Sequence, residues 1–351
     1  MGRAGDVLKP RSLFVRGIGV LLPDGRISAD DAVAAGLCDA GQIAYSGLVS
    51  VAAGDGTSGV DLAVGAGRRA LSDAGIGPGD VDLLVHATML PEGPDGWSPA
   101  GYVLRELGCG PRPGHEVRQG CNGMFAALEL AAGWLGMSAS PATALLTTAL
   151  RGGSPIMDRW RSAGFGMCTG DAGCALVLGR DHGLARVDAV CSTTFPELEG
   201  LHRGGTPPSE ETAGHGLVDV ATRSAEFVAG AGYDPLDLRR MFASMYFSVA
   251  RQALAEAGTG TSELARVIFV NAGAPAVDAG VMQPLGLPMA LSTWDFGRTV
   301  GHLGACDQVV SLHHLLATHR LSAGDRVLLV GGTQGYNAAS AVLTITGDPA
   351  R

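Results

Sequence analysis

The residue whose type and setting best suit covalent chemistry is Cys121. It lies in Gly120-Cys121-Asn122-Gly123, directly ahead of Met124 to Leu135, whose continuous apolar character predicts a helix buried on most sides. A thiol at the start of such a helix meets free backbone N–H groups and the positive end of the helix dipole, which favour thiolate over thiol. A thiolate there can attack a carbonyl carbon and hold an acyl group as a thioester. The competing reading is an inert core cysteine, the usual fate of a thiol in an apolar stretch. That reading is given to the remaining cysteines, 38, 109, 168, 174, 191 and 306, with Cys306 set apart only by its nearness in sequence to His302.

A second reactive residue comes from an internal repeat. GCNGMFAALELAAGWL, beginning at Gly120, can be laid on GHLGACDQVVSLHHLL, beginning at Gly301, because both are a Gly-x-x-Gly turn followed by an apolar helix. Both helices then lead into a strand. This predicts two halves related by a pseudo-dyad, with Cys121 and His302 at equivalent positions that converge if the helix starts face each other. The alternative for His302 is a polar residue capping the next turn. His86, His215, His313 and His314 lack partners at ligand spacing, so no metal site is expected. Gly65 and Gly67 sit in GAGRRA inside a helical pattern, which rejects a dinucleotide-binding turn.

The elements that must position these residues are short Val/Leu/Ala-rich runs alternating with longer amphipathic stretches, the pattern of an α/β protein whose strands are buried on both faces. Strands are expected at 81–88, 144–149 and 175–179, and again at 267–272, 326–331 and 341–346. The Gly-, Pro- and acid-rich stretch from about Arg180 to Thr222 reads as a connector between halves that caps the site. A length of 351 residues fits two similar halves, taken as 1–185 and 186–351. Lys9 is the only lysine among 25 basic residues, a compositional bias more than a binding signal. A net charge of -9 without an Arg cluster disfavours nucleic acid, and seven irregularly spaced cysteines fit reduced thiols in a cytoplasm. Neither a signal peptide nor an 18-residue apolar span is present, so no membrane association is expected.

RQGCNGMFAALELA (118–131) resembles the active-site segment of the thiolase superfamily, specifically of β-ketoacyl-acyl carrier protein synthase III and its relatives. VDLAVGAGRRALSDAGIGPGDVDLLVHAT (60–88), CTGDAGCALVLG (168–179), TVGHLGACDQ (299–308) and GGTQGYNAASAVLTI (331–345) resemble further family segments in the same order, so the likeness spans nearly the whole chain. It implies a thiolase-like fold: two βαβαβαββ halves about a pseudo-dyad, layered α-β-α-β-α. Decarboxylating members use a Cys, a His in an HQAN-like strand end and an Asn in a GNTSAAS-like turn. Here Asn271 stands where that His is expected and His302 where that Asn is expected, so imidazole and amide have exchanged places.

The GHLGAxDQ turn resembles a subgroup of acyltransferases of natural-product pathways, in which the His is a base oriented by an acid in the final Gly-rich loop. The residue aligned with that acid is Asn337, which implies a Cys121-His302-Asn337 set, chemically adequate because an amide can fix the imidazole tautomer. For Asn271 and Asn337, backbone-capping amides are the alternative. Asp307, five residues past His302, is the alternative orienting group, or else an acid stabilising the helix dipole. Family precedent puts the oxyanion hole at the backbone N–H groups of Cys121 and Gly335.

The expected function is transfer of an acyl group from a carrier-protein or coenzyme A thioester, through acyl-Cys121, to an oxygen, nitrogen or sulfur acceptor in secondary-metabolite biosynthesis. The stretch CDAGQIAYSGLVSVAAGDG (38–56) lacks the Trp and paired arginines of coenzyme A-using relatives, which favours a carrier protein. Arg159 and Arg161 are carrier or phosphate contacts, or solvated charges. No cofactor is expected beyond the donor's own phosphopantetheine, and the resemblance implies a homodimer. The competing functions are a decarboxylative ketosynthase of polyketide or fatty-acid priming and a noncatalytic heterodimer partner.

Overall fold

The structure is a computed structural model that describes residues 12–138, 142–164, 166–209 and 216–347. Lys9 and His215 fall outside the described residues. In chain order the strands are β1 (Leu13–Leu21), β2 (Arg26–Ser28), β3 (Ser50–Ala52), β4 (Leu83–Thr88), β5 (Gly114–Arg118), β6 (Ala144–Leu150), β7 (Ala172–Gly179), β8 (Ala185–Thr194), β9 (Leu264–Ile268), β10 (Arg326–Thr333) and β11 (Asn337–Ile345). The helices are α1 (Ala29–Ala34), α2 (Ala40–Ser46), α3 (Gly59–Asp73), α4 (Pro99–Leu107), α5 (Gly123–Met137), α6 (Val220–Ala231), α7 (Pro235–Glu256), α8 (Ala274–Val277), α9 (Trp294–Gly297) and α10 (Asp307–Ala317).

Strands as apolar as β4 (LLVHAT) and β6 (ALLTTAL) are buried at every position, which requires cover on both faces. The main sheet runs β5-β4-β6-β7-β1-β8-β11-β10-β9. Outward from the antiparallel β1–β8 junction, one side reads β1, β7, β6, β4, β5 and the other β8, β11, β10, β9. Within each half this is first, fifth, fourth and second strand, with matching parallel and antiparallel pairings. The third strand, β5, pairs parallel with β4. In the second half its place is held by one parallel bridge, Val267 to Ser292.

Helices α5 and α10 lie between the two groups of strands. Met124, Phe125, Leu128 and Leu135 of α5 share one core with Val310, Leu312 and Leu315 of α10 and with strands of both halves. Outside, α3 and α4 cover β4, β6 and β7, while α7 covers β9, β10 and β11. The result is the layered α-β-α-β-α thiolase-like arrangement. Helix α3 sits so close to β1 that a Cβ on Gly19 would lie 1.9 Å from the Ala66 carbonyl oxygen. Any larger residue there must push the helix off the sheet, losing burial worth about 1.5–3 kcal/mol per large side chain.

Two expectations need correction. The segment from Arg180 to Thr222 is not one connector: it contains β8, a central strand, followed by a 3-10 stretch over Pro196–His202. Charged Arg186 and Asp188 lie on exposed or half-buried positions of β8 and hide its buried residues from a search for apolar runs. The run 267–272 is a strand only to Ile268, so Asn271 sits in the bend beyond it.

Candidate active site

Each central helix is entered through the same backbone turn. Gln119 (φ -129, ψ 30) and Leu303 (φ -104, ψ 19) precede glycines in the left-handed region, Gly120 at φ 51 and Gly304 at φ 61. Single 3-10 turns follow, Gly120–Asn122 and Gly304–Cys306, before α5 and α10 begin. The structural mates are therefore Gly120 and Gly304, Cys121 and Ala305, Asn122 and Cys306. This corrects the repeat register by three residues: His302 is not the mate of Cys121. The sequence could not discriminate, because Gly301 is also left-handed (φ 76) and both helices are apolar along their length.

His302 lies just ahead of its turn. Its N–H donates to the Cys168 carbonyl at 2.9 Å, and its own carbonyl accepts from the Gly170 N–H at 2.9 Å. So anchored, the ring spans the gap between the helix starts: His302 Nε2 is 3.1 Å from Cys121 Sγ and Nδ1 is 2.6 Å from Asp307 Oδ2. Asp307, the first residue of α10, is fully buried. Its two oxygens accept from His302 Nδ1, the Leu303 N–H at 2.7 Å, the Asn271 N–H at 2.9 Å and Asn271 Nδ2 at 2.9 Å. A buried carboxylate without partners is costly, and charge-assisted bonds of about 1.5–3 kcal/mol each offset that. Burial, the largest single influence, pulls the His302 pKa down, but Asp307 and then Cys121 outweigh it and hold it well above the ordinary 6.5.

The remaining expected site residues divide. Asn271 reaches the cluster through Asp307 and through a 3.0 Å bond from Nδ2 to the Gly301 carbonyl, so its amide is turned to the carboxylate. Asn337, the first residue of β11, is bonded elsewhere: its Oδ1 accepts from Asn122 Nδ2 at 2.8 Å and its Nδ2 donates to Thr194 Oγ1 at 3.3 Å. The group on His302 Nδ1 is Asp307, not the expected Asn337. The Cys121 N–H is engaged too, donating to Thr333 Oγ1 at 2.7 Å, while Gly335 (φ 72) lies in the turn between β10 and β11. Thr333 was not foreseen; its only signal is a hydroxyl residue inside a Gly-rich loop.

Around Cys121 the walls are apolar. Met89, Leu150, Met157 and Ala163 form one cluster with it, and Met89 Sδ is 3.5 Å from the thiol. Met157 also lines a cavity of about 430 Å³ with Arg151, Trp160 and Leu217. Buried Tyr246 has its hydroxyl pushed up to about 12, by burial and then by its closeness to Cys121. Next to it Tyr336 stacks on Phe242 with centroids 5.1 Å apart.

Other candidates have structural duties. Arg159 is paired with Asp171 and donates to the Ala52 and Thr169 carbonyls, while exposed Arg161 donates to the Leu37 and Gly36 carbonyls. His86 is held between Thr147 and Glu92. Burial pushes up the thiols of Cys109, Cys168, Cys191 and Cys306. Among the described residues no three His, Cys, Asp or Glu side chains are grouped to hold a metal, and no helix is long and apolar enough to cross a membrane.

Known proteins are similar to this chain in sequence and in fold. Residues 254–345 match the family 3-oxoacyl-[acyl-carrier-protein (ACP)] synthase III C terminal. The chain is 28% identical over 301 residues to β-ketoacyl-[acyl-carrier-protein] synthase III 3 of Streptomyces coelicolor, covering 83% of this chain and 84% of the relative. Among solved structures, the acyltransferase ChlB3 is 36% identical with a TM-score of 0.88, covering 96% of this chain and 99% of its own. The FabH synthase of Pseudomonas aeruginosa PAO1, at 21% identity, shares the fold with a TM-score of 0.78 over 96% and 99% of the two chains. Fold and site together define a thiolase-fold enzyme of the acyl-transferring or condensing kind. The chain belongs to the thiolase superfamily, among the proteins like β-ketoacyl-acyl carrier protein synthase III.

Proposed function

We propose that this protein is an acyltransferase that moves an acyl group from a carrier-protein thioester, through acyl-Cys121, to an oxygen, nitrogen or sulfur acceptor. The observation that carries the reading is the buried line Cys121 Sγ, His302, Asp307, with spacings of 3.1 and 2.6 Å. It is the nucleophile, base and orienting acid of acyl transfer. In the first half-reaction Cys121 sulfur, its proton on His302 Nε2, bonds to the thioester carbonyl carbon. Collapse of the tetrahedral intermediate breaks the carbon–sulfur bond to the carrier, and the departing thiolate takes the proton from His302. In the second half the acceptor gives its proton to Nε2 as it attacks the acyl carbon, and Cys121 leaves as thiolate beside the imidazolium.

Acylation removes the charge on Cys121, one of the influences that raise His302. Its proton affinity therefore falls when it must act as a base. Asp307 keeps Nδ1 protonated, so Nε2 is the nitrogen that accepts. Gly335, from family precedent, is the proposed backbone donor to the oxyanion.

Transfer is favoured over decarboxylative condensation because one imidazole alone faces the thiol, while the Asn271 amide is committed to Asp307 and Gly301. Carrier-protein donors, natural-product acceptors and a homodimer complete the proposal from the sequence resemblance. The test is incubation with acyl and malonyl carrier proteins, reading the mass added to Cys121 and any carbon dioxide released. An acyl adduct without carbon dioxide is expected. Product formation coupled to carbon dioxide release would replace transfer by condensation.

A further inference from the structure

The Cys121 amide, which family precedent makes an oxyanion donor, already has an acceptor in this chain. Thr333 Oγ1 lies 2.7 Å from Cys121 N, and its own proton goes to Gln334 Oε1 at 2.6 Å. Two side chains converge there by design of the backbone, since a Cβ on Gly120 would lie 1.8 Å from Gln334 Oε1 and 2.1 Å from Thr333 Oγ1. The positive φ of Gly120 and this crowding independently require glycine beside the nucleophile. Thr333 is buried at the end of β10, whereas Gln334 is half-exposed in the turn. The relay N–H, Oγ1–H, Oε1 thus ends on a group less firmly held than the hydroxyl.

A hydroxyl is a rotor that can redirect its proton without moving its oxygen. Accepting from an N–H also polarises it and makes it a better donor. We propose that Thr333 is a further catalytic residue: its hydroxyl, held by the Cys121 N–H, turns its proton from Gln334 to the oxyanion of the acyl-transfer intermediate. The inference rests on the acyl-Cys121 reading above. As the Cys121 Sγ–carbon bond forms, the carbonyl π electrons move to oxygen and Oγ1–H donates to it without transferring its proton. When the double bond re-forms and the carrier carbon–sulfur bond breaks, Oγ1–H stays on the carbonyl oxygen of acyl-Cys121 as a weaker donor, and turns back to Gln334 once the acyl group has left.

The test compares Thr333→Ala, Thr333→Val and Thr333→Ser with the unmodified chain, using an S-acyl pantetheine that loads Cys121. Single-turnover acylation should slow about 10²-fold in Thr333→Ala and Thr333→Val and recover most of that loss in Thr333→Ser. The infrared carbonyl stretch of isotope-labelled acyl-Cys121 should rise in Thr333→Val and return in Thr333→Ser. Alkylation of Cys121 by iodoacetamide, which makes no oxyanion, should stay unchanged and so separates this role from disruption of the thiol. Acylation of Thr333→Ala as fast as the unmodified chain, through a Cys121 N–H set free, would overturn the proposal and leave acyl transfer intact. Absence of any adduct in the unmodified chain would instead refute acyl transfer itself.

Discussion

The turns that open α5 and α10 have nearly the same backbone and opposite chemistry. In the first, Cys121 occupies the second position with its thiol against His302. In the second, that position is Ala305, and the cysteine one place later, Cys306, directs its sulfur to the Thr148 and Ala172 carbonyls and is wholly buried. The helix-opening residue is Gly123 in one and Asp307 in the other. A duplicated turn is therefore a frame, and the side chain at each position decides whether it supplies a nucleophile or the base and acid that serve it. Nearness to a helix start alone does not make a thiol reactive, since Cys306 lies one place nearer its helix than Cys121 does and burial drives its pKa far upward.

The largest effect should come from Cys121→Ala, which removes the nucleophile and abolishes the acyl adduct by intact mass spectrometry. Cys306→Ala, one frame position away in the other turn, should still form that adduct at the normal rate. Replacing the acid of the second turn, Asp307→Asn, turns an NH₂ toward donors and loosens the imidazole tautomer. Deacylation should slow by about 10²-fold or more, and chemical unfolding should show a loss of about 2–4 kcal/mol. Asn337→Ala tests the competing orienting residue: deacylation should stay within about twofold, with about 1 kcal/mol lost from stability.

A smaller effect concerns pH. The folded His302 pKa lies above its unfolded value, so its contribution to stability is full below pH 6.5 and is lost as pH rises through the folded pKa. Urea midpoints of the unmodified chain and of His302→Ala should therefore converge as pH rises. A gap that widened would reverse the assigned charge on His302.

Much of this was legible in the residues. The apolar runs of β4, β6 and β10 announced buried strands because every position is covered, and GCNG ahead of an apolar helix announced the thiol. Strand β8 escaped because Arg186 and Asp188 break its apolar run. The repeat was visible but its register was not, since Gly301 and Gly304 both satisfy a turn. Choosing between Asp307 and Asn337 needed the fold: the 3-10 turn Gly304–Cys306 brings Asp307 back under His302, while Asn337 opens β11 against Asn122 and Thr194. The Thr333 hydroxyl lies 212 residues from Cys121 in sequence, a distance that no local pattern encodes.

The most direct test of the Cys121, His302, Asp307 account is a single-turnover pulse and chase. Cys121 is loaded from an S-acyl pantetheine and chased with free pantetheine, in the unmodified chain and in His302→Ala, with intact mass read over time. The acyl adduct should clear in the unmodified chain and persist about 10²-fold longer in His302→Ala, with no carbon dioxide released from a malonyl donor. Equal clearance in the two proteins, or loading at any residue other than Cys121, would contradict it.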